Sequence, residues 1–348
     1  MAKINIGLDI GSHSVKLVQM QVGGDTRRVL NYSIQDIYGP EMDYDLEGPP
    51  NRLVSGAIKE AFKEIKINPK RIKNLNTAMG GNSISVNQIT SIPLAPEELE
   101  SSLIFEARKH LPLDDSEPLI DYQILHGDLD SEQISILLAA TTRKAFQSRL
   151  DLLQDISVKP NIIDSEMLAL LNSYILTMGP LQSPPTIFLN IGAKATNLII
   201  CGGDAKFFAR DIQWAGFSFT DDIRDKKDVD YPTAEKIKRE EGIFGLDVGA
   251  EEGSGIRVQR KFAQDSLVAE VLRSLRYYAK ETSIREFDKV LLSGGSARID
   301  GFAGFLTERL NIPVEIYDPT QTFELPQVFN PQHAPQLATA CGLALRED

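Results

Sequence analysis

Two stretches of the chain share one alternation of apolar and polar positions. In the first, Ile4, Ile6, Leu8 and Ile10 alternate with other residues. Gly11, Ser12, His13 and Ser14 then interrupt, before Val15, Leu17, Val18 and Met20 resume the apolar series. The pattern predicts a β-hairpin with a short polar turn. In residues 186–204 it returns: FLNIGAKATNLI matches GLDIGSHSVKLV at Leu, Ile, Gly and the apolar return. Two related hairpins imply two related domains facing one another.

The remaining periodicities fill in each half. A third strand is predicted over 29–38, a Gly- and Pro-rich loop over 39–51, an amphipathic helix over 53–65 and a strand over 72–79. Residues 80–158 change character and predict an inserted subdomain. It holds a strand pair (83–92), a helix (97–111) stopped by Pro112, two strands (119–126 and 134–141) around an acidic turn, and a helix (144–155). After the second hairpin come a strand (205–212), a short charged helix (232–241) with a Thr233 cap, and a Gly-rich stretch (242–257) expected to be mobile. A long helix (262–283), a strand running into Gly294-Gly295-Ser296, a helix (301–310), a strand (314–317) and the segment 337–345 end the chain.

Length and composition suit a soluble α/β protein of two domains: 348 residues, 42% apolar and 25% charged. The net charge of −12 argues against nucleic acid as a partner. Two cysteines, with no paired-cysteine motif, fit a reducing cytoplasm. The four histidines show no zinc-type spacing, and no window is apolar enough to span a membrane.

Candidate chemistry concentrates on the hairpins. Asp9 stands just before the first turn as an acid for a metal ion. The turn backbone and the Ser12 and Ser14 hydroxyls form a nest for phosphate, within reach of Lys16. Taken alone, this reads equally well as an ordinary edge hairpin with a polar tip. It is not a Walker A loop, because it returns as a strand.

The strings GLDIGSHSVKL, LNIGAKATNL and LLSGGSARIDGFAGFL together resemble the two phosphate motifs and the adenosine motif of the actin/heat-shock-chaperone/sugar-kinase ATPases. Within these, the chain most resembles the PilM family of type IV pilus assembly proteins, related to the division protein FtsA. NIIDSEMLALL resembles the helix connecting the lobes, and residues 80–158 sit where those proteins carry an extra subdomain, called 1C. The resemblance implies an actin-like (ribonuclease H-like) fold. The first lobe would comprise 1–79, 159–185 and 331–348, and the second lobe 186–330.

The resemblance also implies ATP with Mg2+ as cofactors. Asp9 would hold a metal-bound water. Gly11, Ser12, His13 (through its backbone), Ser14 and Lys16 would cradle the β-phosphate, with Gly192, Ala193 and Thr196 on the opposite side. Gly294, Gly295 and Ser296 would take the adenosine. Glu235, Lys238 and Arg239 would grip ribose and purine, although the same helix also reads as a solvated charged face. Glu166 would orient the attacking water, or else serve as a helix N-terminal acid. The family's second motif usually begins with Asp. Here Asn190 stands in its place, so binding would survive while hydrolysis suffers.

As a partner, the resemblance implies the N-terminal tail of a PilN-like inner-membrane protein docking on residues 80–158. Acids at Glu97, Glu98, Glu100, Asp114 and Asp115 would suit a basic tail. The protein would then be a cytoplasmic scaffold, peripheral at the inner membrane and held there only through its partner. The competing readings are an FtsA-like division or secretion-system scaffold, a subdomain used for homo-oligomerisation, and a sugar kinase of the same superfamily.

Overall fold

Both predicted hairpins form, and each opens a five-stranded sheet. In the computed structural model, residues 2–347 are described apart from 25, 40, 46, 113–115, 129 and 247–261. The first hairpin is β1 (Lys3–Ile10) and β2 (Ser14–Gly23), extended by β3 (Thr26–Asp36). Helix α1 (Asn51–Glu64) crosses over to β4 (Leu75–Met79), parallel to β1. The chain then builds the inserted unit from β5 (Ile84–Ser91), α2 (Pro96–Ala107), β6 (Pro118–His126) and β7 (Ile134–Thr142), and returns through α3 (Arg143–Asp155). Strand β8 (Ile162–Ser165) and helix α4 (Glu166–Met178) lead into the second lobe.

There the second hairpin, β9 (Thr186–Ile191) and β10 (Thr196–Gly202), is extended by β11 (Ala205–Ile212). It is followed by α5 (Gly216–Lys227), α6 (Tyr231–Glu241), α7 (Ile243–Leu246) and α8 (Ala263–Thr282). Strand β12 (Val290–Ser293), helix α9 (Phe302–Leu310), strand β13 (Val314–Ile316) and helix α10 (Ala338–Leu345) complete the chain.

The sheets follow one plan, β3-β2-β1-β4-β8 in the first lobe and β11-β10-β9-β12-β13 in the second. In each, the hairpin and its third strand are antiparallel, and two parallel strands follow across helical crossovers. Both faces of each sheet are covered, which is why β4 and β10 are buried along their whole length. In the first lobe α1 and α3 cover one face, with Ile58, Phe62 and Leu153 in the core, and α10 covers the other. In the second lobe α5, α8 and α9 pack on one face and α4 on the other. Each fully buried Leu, Ile or Phe in these layers contributes about 1.5–3 kcal/mol. Helices α4 and α10 touch closely between the sheets: a Cβ on Gly342 would lie 1.8 Å from the Ala169 carbonyl oxygen. Only glycine lets the two backbones approach this far.

Several elements differ from the sequence expectation. Residues 83–92 hold one strand, β5, whose partner is the distant β7; the small sheet is three-stranded, β5-β7-β6. The cap of α6 is Asp230, which accepts from the Thr233 backbone N–H at 2.9 Å, so Thr233 is not the cap. Helix α3, expected within the insertion, buries Leu152, Leu153 and Ile156 in the first lobe's core. The short β8 and helix α5 had no clear apolar period. Most of the Gly-rich stretch expected to be mobile lies outside the described residues, as do Asp114 and Asp115. Among the described residues, no helix is long and apolar enough to cross a membrane.

Candidate functional site

The two hairpin turns are built alike. In the first, Gly11 N–H donates to the Ser14 carbonyl at 3.2 Å; in the second, Gly192 N–H donates to the Ala195 carbonyl at 3.1 Å. Asp9 lies opposite Lys16 in the first ladder, and Asn190 lies opposite Asn197 in the second. Equivalent positions thus carry an ion pair in one lobe and an amide pair in the other. Lys16 Nζ sits 3.2 Å from Asp9 Oδ2, with both side chains largely shielded from water. Asn190 Nδ2 donates to Asn197 Oδ1 at 2.8 Å, while Asn190 Oδ1 accepts from Ser293 Oγ at 3.3 Å.

Asn197 is the hub of the second turn. Its Nδ2 donates to Glu166 Oε1 and to Asp211 Oδ1, both at 2.8 Å. Glu166 is the first residue of α4, behind the Ser165 cap, and its carboxylate also accepts from Gly81 N–H at 3.3 Å. A Cβ on Gly80 would fall 2.0 Å from the Glu166 carboxyl carbon, so the Gly80–Gly81 backbone closes directly over that group. Burial, then the nearby Asp9, push the Glu166 pKa above the ordinary carboxylate range, with Asn197 opposing; burial likewise raises Asp211. A buried carboxyl with a raised pKa, oriented by a fixed amide, is suited to holding or accepting a proton.

A second cluster lies on α6. Lys238 Nζ donates to the Gly216 carbonyl (3.1 Å), Thr220 Oγ1 (2.8 Å) and Glu235 Oε2 (2.5 Å), so all three of its donors are used within the protein. Burial lowers the Lys238 pKa, opposed by Glu235. Burial acts to raise Glu235, but Lys238 and Arg239 outweigh it and hold the carboxyl at about 2. Arg239 Nε donates to Glu235 Oε1 at 2.8 Å, and its Nη2 reaches His13 Nε2 at 3.4 Å across the cleft. Burial lowers the His13 pKa, against Asp36 and Glu235, so the ring is neutral at pH 7 and its Nε2 accepts from the guanidinium.

The predicted residues therefore fall into two groups. Asp9, Gly11, Ser12, Ser14, Lys16, Asn190, Gly192, Ala193 and Glu166 lie on or beside the two turns. His13, Glu235, Lys238 and Arg239 form the other group, at the first turn's tip and on α6. The loop after β12 reaches the second turn: Ser296 Oγ is 3.4 Å from the Gly192 carbonyl, and Gly294, at φ +89°, abuts Ile191 and Asn190. Gly295 follows in open space, with only Gln336 near. The Thr196 hydroxyl donates to the Trp214 carbonyl at 2.8 Å, so Thr196 braces the turn through its side chain.

Sequence reasoning missed Asn197, Asp211, Gly80 and Arg149. The alignment of the two hairpins carries the signal for Asn197, which occupies the Lys16 position of the repeat. The partly buried Arg149, from α3, has its Nη1 sealed from solvent, and the charges acting on it are those of Asp9 and Glu166.

Duplicated sheets whose hairpin turns carry matched polar pairs are the mark of an actin-like ATPase fold, and known structures agree. The ethanolamine utilization protein EutJ from Carboxydothermus hydrogenoformans matches at TM-score 0.54 and 13% identity, covering 99% of this chain and 89% of that one. MreB5 of Spiroplasma citri bound to AMPPNP matches at TM-score 0.50 and 13% identity, over 98% and 94%. A PilM-PilN type IV pilus biogenesis complex matches at TM-score 0.80 and 23% identity, over 98% and 97%. The family model described as type IV pilus assembly protein PilM matches residues 7–348, and the chain belongs to that family.

Proposed function

We propose that the chain binds ATP or ADP with Mg2+ between its lobes and acts as a cytoplasmic scaffold of the type IV pilus assembly complex. A PilN-like tail would recruit it to the inner membrane. The observation that carries the nucleotide reading is the matched register of the two turns, Asp9–Lys16 and Asn190–Asn197, on either side of Glu166. The turn backbones at Gly11–Ser14 and Gly192–Ala193 and the ammonium of Lys16 would hold phosphate oxygens. Gly294–Ser296 would lie along the adenosine. Glu235 and Arg239 are the α6 groups left for ribose and purine, with Lys238 acting through Glu235 as its anchor.

Among the described residues, no group of three or more His, Cys, Asp or Glu side chains gathers to hold a metal. The donor set fits a hard cation held chiefly by phosphate and water oxygens, with Asp9 touching its hydration shell. When bound, Mg2+ would neutralise charge between the phosphates. Calorimetry with each nucleotide, with and without Mg2+, tests this reading, and Asp9→Ala should weaken metal-dependent affinity by about tenfold or more. A folded protein that binds neither nucleotide would leave a scaffold without ligand.

Support for the partner comes from the matched PilM-PilN complex and from a groove of about 420 Å³ framed by β5 and α2 on one side and by β11 and α8 on the other. Its charged lining is mixed: Glu106 and Glu281 stand with Lys206. Glu97, Glu98 and Glu100 are not part of that lining, so shape and sheet edges recommend the groove more than charge does. Hydrogen exchange with a PilN-type tail peptide should protect segments within 84–142. Protection confined to other segments would move the receptor.

A further inference from the structure

Helix α3 carries one charged residue on its buried stripe. Leu152, Leu153 and Ile156 anchor the helix in the first lobe's core, and Arg149 precedes them by three, four and seven positions, on the same face. An arginine on an apolar stripe normally reaches an ion pair. Arg149 has none: among the described residues it makes no hydrogen bond or ion pair, and its Nη1 is cut off from solvent without a partner. The two carboxylates that act on it are already engaged. Asp9 is paired with Lys16 at 3.2 Å, and Glu166 accepts from Asn197 and Gly81.

A buried donor left unsatisfied costs roughly 1–3 kcal/mol, and more when it is charged. Guanidinium stays protonated in such a setting and presents a planar fork that matches phosphate oxygens two at a time. Its position narrows which phosphate. The charges that act on Arg149 are those of Asp9 and Glu166, whereas Glu235 and Arg239, the groups assigned to ribose and purine, gather at His13 and do not act on it. Lys16, the cation beside the first turn, lies against Asp9 and the Gly11 turn.

We propose that Arg149 is a ligand of the nucleotide's terminal phosphate, an arginine supplied in cis by the helix joining the inserted sheet to the first lobe. The assignment rests on the nucleotide reading above. An unpaired cation waiting at that end favours ATP over ADP, and it supplies positive charge without relying on a metal ion. The apo protein carries the cost of the empty guanidinium, so a neutral side chain there should be tolerated or even stabilising before nucleotide is added.

Calorimetry of ATP and ADP in EDTA and in Mg2+, on wild type, Arg149→Gln and Arg149→Lys, tests the assignment. Arg149→Gln should lower ATP affinity about tenfold or more and leave ADP within about twofold, with Arg149→Lys in between. The apo melting temperature of Arg149→Gln should stay level or rise. Equal losses for both nucleotides, or a marked drop in the apo melting temperature with no change in the ATP-to-ADP ratio, would make Arg149 a structural residue and overturn the proposal. If Arg149→Gln does not fold, wild type in EDTA decides: ATP should bind about tenfold more tightly than ADP, and equal affinities would overturn it. A folded wild type that binds ADP but fails these tests leaves the nucleotide reading standing. One that binds neither nucleotide removes both.

Discussion

At the residue scale, Asn190 is held in place by neighbours that an aspartate could not satisfy. Its Nδ2 donates to Asn197 Oδ1, and Asn197 in turn directs its only NH2 at Glu166 and Asp211. Asn190→Asp would set oxygen against oxygen. Asn197 would have to turn its amide, releasing both carboxylates it now bridges. Restoring the family's usual acid should therefore lower stability by about 1–3 kcal/mol without metal. Part of that should return on adding Mg2+ and nucleotide, as thermal melts in EDTA and in Mg2+ would reveal. A gain in turnover without this metal-dependent recovery would show that the amide network does not restrain the position. Glu235 gives a pH-dependent case. Its carboxyl is held at about 2 in the folded protein, below its ordinary value of 4.5. Its stabilising contribution is therefore complete above pH 4.5 and is lost as pH falls through about 2. Urea midpoints of wild type and Glu235→Gln should differ most at neutral pH, by at most about 3 kcal/mol, and converge in acid. Burial of Lys238 keeps the gap below that limit.

At the scale of elements, a loop and two helices tie the lobes across the cleft. Tyr44, between β3 and α1, stacks on Phe217 of α5 with ring centroids 3.7 Å apart and planes 15° from parallel. Its hydroxyl hydrogen-bonds to Asp221, and Tyr231 of α6 packs beside it. Such a stack contributes about 0.5–1.5 kcal/mol beyond the area it buries. Tyr44→Ala should loosen this tie and speed nucleotide exchange in stopped-flow traces, with only a small fall in melting temperature; unchanged exchange would confine the stack to a packing role. The hairpins and the long α8 were legible because each repeats its apolar period over many residues. The strap was not: residues 39–51 read as a loop, and Tyr44 meets Asp221 across a separation of 177 positions. Arg149 was missed for a related reason, since one charge on an otherwise regular helix looks like surface until the fold shows which face is covered. Strand β5 was read as a pair because its true partner, β7, lies beyond α2 and β6.

At the scale of the whole molecule, the duplicated sheets were legible from one repeated string, whereas the joint between the inserted sheet and the first lobe was not. That joint is α3, which is capped by Thr142, the last residue of β7, and ends among the side chains of the first lobe's core. One helix thus joins the sheet proposed as the partner's receptor to the first lobe and carries Arg149, the residue on which Asp9 and Glu166 act. Linkage then works in both directions: whatever factor a docked tail imposes on ATP affinity, ATP must impose on the tail. Titrating tail peptide into the ATP-loaded, ADP-loaded and empty protein should return affinities that differ from the empty protein's by the same factors by which the peptide changes the affinity for ATP and for ADP. The chain would then report its nucleotide state to the membrane as a change in how tightly it is held there, with no motor stroke required.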